Sequence, residues 1–132
     1  YNSILTGNPF WRMFEKYERV LIFQTDSIFL RNMNPAHLVY DYIGAPWCLE
    51  RNPPAEVQYK RGVIKAEDMV SVGNGGFSIR NPQAMLRCIN EYATAQNVKP
   101  EDFPEDMFFV ICMTSLGMSI APPTIARDFA IE

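Results

Sequence analysis

The triplet Gln24-Thr25-Asp26 follows an unbroken apolar run, Val20 to Phe23, and its carboxylate is the group in this chain best placed for chemistry. A run of β-branched and aromatic residues reads as a strand buried on both faces, as in a parallel sheet. Asp26 then sits at the strand's carboxyl end, where open α/β sheets bind ligands. Without a basic neighbour in sequence, such a carboxylate holds a metal or a polar substrate, and the plainer alternative is that it caps its own turn. Gly73, Gly75 and Gly76 surround Asn74 in a second stretch where backbone approaches something closely, either a ligand or the far side of a glycine-rich turn. Glu105 and Asp106 follow Pro104 at a helix start, where exposed amides and the helix dipole favour acids. The same dipole lowers a carboxylate's pKa and weakens it as a base unless burial offsets the effect.

Other reactive residues are sparse. Cys48, Cys88 and Cys112 are far apart and show no C-x-x-C spacing, which favours buried free thiols and suits a reducing compartment. His37 is the single histidine and is expected as an ordinary surface or half-buried residue of a short helix after Pro35, since no second histidine shares a metal. With 132 residues, 48% of them hydrophobic, the chain can build one globular core. A net charge of −3 with scattered basic residues argues against a nucleic-acid partner. No apolar stretch approaches the roughly 20 residues that span a bilayer, and no signal peptide is evident, so a cytoplasmic location is favoured without excluding a secretory lumen.

These residues need elements to position them. A helix is expected from Asn8 as cap and Pro9 as first helical residue, with Phe10, Phe14 and Tyr17 on one face. The strand Val20 to Gln24, a helical turn at 36–40 and a brief strand Tyr42 to Trp47 follow. The segment from Cys48 to Met69 reads as a long surface loop. Met69 to Arg80 reads as an interrupted strand, and Asn81-Pro82 opens a helix with Met85, Leu86, Ile89, Tyr92 and Ala93 on its apolar face. A buried helix runs from Pro104 towards Gly117, and short elements at 119–122 and 125–129 close the chain.

Taken in order, L-I-F-Q-T-D, D-Y-I-G-A-P-W, G-N-G-G-F-S-I-R and P-E-D-M-F-F resemble the second half of nucleotide-sugar glycosyltransferases of the GT-A type. The likeness is greater to a largely uncharacterised glycosyltransferase-like family that carries these motifs in succession. It covers most of the chain and implies an α/β fold, a partial GT-A (Rossmann-like) domain with a mixed sheet flanked by helices. In GT-A enzymes an Asp-x-Asp at a strand end binds a divalent cation, Mn²⁺ or Mg²⁺, that bridges the diphosphate of the donor. Here the resemblance puts Gln24-Thr25-Asp26 in that place. Asp26 is thereby the metal ligand, and Gln24 and Thr25 are the contacts to the donor. Gln24 hydrogen-bonds a ribose without adding charge to a hard cation. Asn74, Gly75 and Gly76 are implied as a sugar pocket, and Trp47 is either a platform for a sugar face or a core residue. Glu105 and Asp106 resemble the acidic pair that supplies a general base to the acceptor hydroxyl.

The expected function is therefore a metal-dependent, inverting glycosyltransferase that moves a sugar from a nucleotide-diphosphate sugar to a hydroxyl acceptor. Residues 1–132 are expected to be a truncated domain, without the N-terminal nucleotide-binding strands and the C-terminal end. From a different class, the degenerate Gln24 also suits a non-catalytic carbohydrate-binding or scaffolding module. A nucleotidyltransferase would want a basic Gly-rich phosphate loop, which this sequence lacks. The whole reading predicts that Asp26 and the acids at 105 and 106 line one cleft.

Overall fold

A computed structural model describes residues 2–29, 31–47, 56–59, 62–65 and 72–131. The chain is α/β, with a three-stranded sheet flanked by helices on both faces. The strands are β1 (Val20–Phe23), β2 (Tyr42–Pro46), a separate hairpin of β3 (Glu56–Tyr59) and β4 (Gly62–Lys65), and β5 (Val72–Arg80). The hairpin corrects the expectation of an uninterrupted loop over 48–69, while Cys48 and the rest of that stretch lie outside the described residues.

Sheet order is β1-β5-β2, and both pairings with β5 are antiparallel. The parallel, doubly buried strand expected at Val20–Phe23 is instead an edge strand of partial burial, with Phe23 exposed. Apolar runs mark strands but do not encode the direction of a partner. A single parallel bridge, Tyr42 to Ile120, extends the sheet beyond β2.

Strand alternation divides the core. Tyr42 faces a large cluster containing Leu5, Trp11, Met85, Phe108, Phe109 and Met113, whereas Ile43 and Ile79 face a smaller one with Ala121, Ile125 and Phe129. The large cluster is roofed by α1 (Asn2–Leu5), α2 (Asn8–Met13), α3 (Pro82–Arg87), α4 (Ala93–Gln96) and α5 (Glu105–Ser115). The smaller lies under α6 (Pro123–Phe129), which packs on β2. A π-helical turn, Cys88–Tyr92, joins α3 to α4, and Asn97 ends the helix in the left-handed region at φ 51°.

Asn34 and Asn81 each precede a proline and accept the backbone N–H two residues on. The cap of α2 is Gly7 rather than Asn8, whose side chain reaches across to Asn90 Oδ1 at 2.7 Å. Cys88 and Cys112 are buried free thiols, as expected, and burial together with Cys88 pushes the Cys112 thiol far up. Among the described residues, no helix is long and apolar enough to cross a membrane.

Candidate functional site

β5 does two jobs because its register slips. Gly44 pairs with Ser78, but Ala45 pairs with Asn74, so Gly75, Gly76 and Phe77 have no partner on β2. Before the slip, Gly73 and Gly75 face α5; after it, Ser78 and Arg80 belong to that side. Asn74 and the consecutive Gly76 and Phe77 turn the other way and line a cavity of about 750 Å³.

The cavity lies at the end of β1, where Gln24 and Asp26 enter its wall. Gln24 N–H donates to the Gly76 carbonyl at 2.9 Å, and Ser27 N–H closes the following turn on the Gln24 carbonyl at 3.0 Å. Asp26 is exposed, and no described residue hydrogen-bonds or ion-pairs with its side chain. Its carboxylate is therefore not spent on capping its own bend. A methyl group on Gly76 would meet Gln24 Oε1 at 3.0 Å and Asn74 Oδ1 at 3.6 Å, and Asn74 Oδ1 accepts the Gly76 N–H at 3.1 Å. Thr25 is exposed in the same turn and does not line the cavity.

Gly75, Glu105, Asp106 and Trp47 lie elsewhere. Glu105 is 5% exposed, and its carboxylate is gripped by Arg80, with Nη1 to Oε2 at 2.5 Å and Nη2 to Oε1 at 3.0 Å. A methyl on Gly75 would stand 2.3 Å from Glu105 Oε1, so this glycine makes room for the ion pair. Asp106 is half-buried, and burial followed by the Glu105 charge raises its pKa. Trp47 lies against Gly73, whose added methyl would meet the indole at 2.5 Å. None of these four residues lines the cavity, which corrects the expectation of one cleft shared by Asp26 and the two acids.

The wall opposite β5 holds residues to which the sequence assigned no role in a site. His37 lies in a 3₁₀ turn, Pro35–Val39, and is 4% exposed, not the surface or half-buried residue expected. Its Nε2 is 3.3 Å from Asp128 Oδ2. Arg31 Nη2 donates to Asp128 Oδ1 at 2.7 Å and also to the Asp128 carbonyl. The Arg31 hydrogen bond holds the Asp128 carboxyl below the usual range, with His37 adding to the effect. A row of rings runs alongside: Phe29 to Phe77 at 5.2 Å, Phe77 to Phe129 at 5.1 Å, and Phe129 to His37 at 5.4 Å. The only hint in the sequence was that the lone histidine sat between apolar residues.

Chemically the cavity offers the Asp26 carboxylate, unengaged among the described residues, the side-chain amides of Gln24 and Asn74, a His–Asp–Arg group and an aromatic wall. Among the described residues, no group of three or more His, Cys, Asp and Glu side chains is disposed to hold a metal ion alone. No curated protein and no solved structure matches the chain. A family model matches residues 1–132 in full, and the chain belongs to that family, described as "Protein of unknown function (DUF5672)".

Proposed function

We propose that this chain carries the donor- and metal-binding part of a glycosyltransferase that moves a sugar, with inversion, from a nucleotide-diphosphate sugar to a hydroxyl acceptor. The observation that carries the reading is the Asp26 carboxylate at the end of β1, unengaged among the described residues, in the wall of a cavity that also presents Gln24 and Asn74. The donor set is all oxygen, which suits a hard cation such as Mg²⁺ or Mn²⁺. One carboxylate is sufficient where phosphate oxygens complete the coordination, since such ions are bound by one or two carboxylates plus substrate phosphates. When bound, the cation offsets charge on the departing diphosphate.

The chain's own residues do the rest. Asp26 anchors the cation, while Gln24 and Asn74 hydrogen-bond the hydroxyls of the donor. Phe29, Phe77 and Phe129 give the ligand an apolar face and exclude water from part of the cavity. Glu105 has no part in this scheme, because Arg80 already occupies its carboxylate.

The test is titration of Mn²⁺ and a panel of UDP- and GDP-sugars against the intact protein. Metal-dependent donor hydrolysis that disappears in Asp26→Ala supports the reading, and hydrolysis indifferent to that substitution overturns it. A second reading, a carbohydrate-binding module without catalysis, is favoured by the neutral Gln24 at the first position of the triplet. Sugar binding that persists in EDTA and survives Asp26→Asn selects it.

A further inference from the structure

We infer that the acceptor side of this cavity takes an alcohol with an apolar body, aryl or alkyl, and not a sugar. That the bound hydroxyl receives a glycosyl group rests on the reading above; the binding preference does not.

Polar and apolar groups are segregated along the wall. Gln24, Asp26 and Asn74 stand where β1 ends and β5 slips, the part assigned above to cation and donor. A sugar acceptor would need two things from the remainder: an open ring face to lie on, and hydrogen-bonding groups to replace the water around its hydroxyls. The rings are occupied with one another instead. Phe77 and Phe129 lie together at 5.1 Å with 31° between their planes, and Phe29 and His37 meet this pair near edge-on, at 75° and 82°. The hydrogen-bonding groups are largely spent as well. Arg31, His37 and Asp128 are bonded to one another and Arg127 has a partner of its own, so Ser27 and Asn32 are the polar side chains left over.

What this wall presents to solvent is apolar. Ile28 and Ile131 line it at 79% and 88% exposure, and Phe29 and Met33 are exposed too. Single exposed apolar side chains are ordinary on a protein surface, but four that line one cavity mark a ligand site. A volume of about 750 Å³ is that of a small-molecule pocket, not of a protein interface. The four come from two borders, the segment after β1 and the residue pair that follows α6, and Arg31 ties the borders together through Asp128. An apolar body lodged between the borders takes these side chains out of water, and its hydroxyl faces the Asp26 end, where the polar groups are. In the transfer, the electron pair of that hydroxyl oxygen forms the bond to the anomeric carbon. The bond from the carbon to the diphosphate breaks, its electron pair leaves with the diphosphate, and the hydroxyl proton passes to water.

The test on the intact protein uses 2-naphthol, followed by its own fluorescence, with 1-octanol and methyl glucoside as competitors and neither metal nor donor present. The expected result is a Kd below about 1 mM, with displacement by octanol and none by the glucoside. Ile28→Asp and Ile131→Asp should each weaken binding about tenfold or more, with the urea midpoint unmoved because both side chains are exposed; either serves if the other does not fold. Absence of binding, displacement by the glucoside, or affinity unchanged in both variants overturns the inference. With a donor that the wild type uses, transfer to 2-naphthol or octanol should exceed transfer to methyl glucoside by about 10²-fold in kcat/KM. Transfer to the glucoside alone overturns the apolar acceptor and leaves glycosyl transfer standing. If the wild type transfers from no donor, the glycosyltransferase reading falls and the naphthol titration alone decides the preference.

Discussion

Arg80 and Glu105 face each other inside the core as a two-pronged ion pair, with side-chain exposures of 0% and 6%. The guanidinium also lies over the ring of Tyr42 at 5.0 Å and that of Phe109 at 5.7 Å. Its Nε donates to Ser78 Oγ at 2.9 Å. The pair ties the end of β5 to the first turn of α5, and Asn2 adds to the joint by accepting the Glu105 N–H at 2.6 Å.

Removing one member leaves a charge buried without its partner. Glu105→Gln is expected to cost about 3–5 kcal/mol of folding stability, read from urea unfolding curves. The double variant Arg80→Met with Glu105→Leu should cost less than Glu105→Gln alone, because two apolar side chains leave no unpaired charge. A loss below about 1 kcal/mol in Glu105→Gln would contradict a structural role.

Asp26 predicts the opposite profile. The residue is exposed and unengaged by the described residues, so Asp26→Asn should leave unfolding within about 0.5 kcal/mol of wild type. Mn²⁺-dependent binding of a nucleotide-diphosphate sugar, followed by calorimetry, should be lost in the same variant. Retained metal-dependent binding would remove Asp26 from the site.

Acid should loosen the junction at Asp41. Burial pushes this carboxyl up, but the amide of Asn81 at 2.8 Å and the N–H and hydroxyl of Ser119 at 3.1 and 3.0 Å outweigh it, and the net shift is downward. The folded state thus holds the proton less tightly than the unfolded chain. The stabilisation is complete above the unfolded carboxyl range and is lost as pH falls through the folded value. Asp41→Asn should therefore flatten the acid limb of a thermal-midpoint-against-pH curve, at a loss of about 1–2 kcal/mol near neutrality. An acid limb as steep as wild type would count against it.

Asp106 carries the reverse sign. Burial, then the Glu105 charge, raises its pKa, so the folded state binds the proton more tightly and stability grows as pH falls through the folded value. Asp106→Asn keeps an oxygen for the Met107 N–H, which donates to Oδ1 at 2.8 Å, and removes the ionisation. The variant should melt higher than wild type near neutral pH, and the two curves should converge in acid. A lower midpoint at neutral pH would show that the charge is wanted there.

Local chemistry was legible in the sequence and remote pairing was not. Asn34 and Asn81 cap as their prolines announce, and the acids at 105 and 106 do open a helix, because caps and first turns depend on neighbours within four residues. The direction of β1 was misread because its apolar run is the same whether the partner runs parallel or antiparallel. Glu105 looked free because its partner, Arg80, is 25 residues away. His37 looked ordinary because Asp128, which lies 3.3 Å from its Nε2, is 91 residues away. Of the candidate site, Gln24, Asp26, Asn74 and Gly76 could be read from the chain, whereas the opposite wall comes from the packing of α6.

The slip in β5 carries an evolutionary corollary. One strand serves the Arg80–Glu105 lock on one face and the cavity on the other, so a new side chain at residues 73–76 is tested for foldability before it is tested for any effect on the cavity. Diversification among relatives should therefore concentrate on the two borrowed borders of the cavity, residues 28–29 and 31–33 and residues 127–131, where a change reshapes the cavity and leaves the lock untouched.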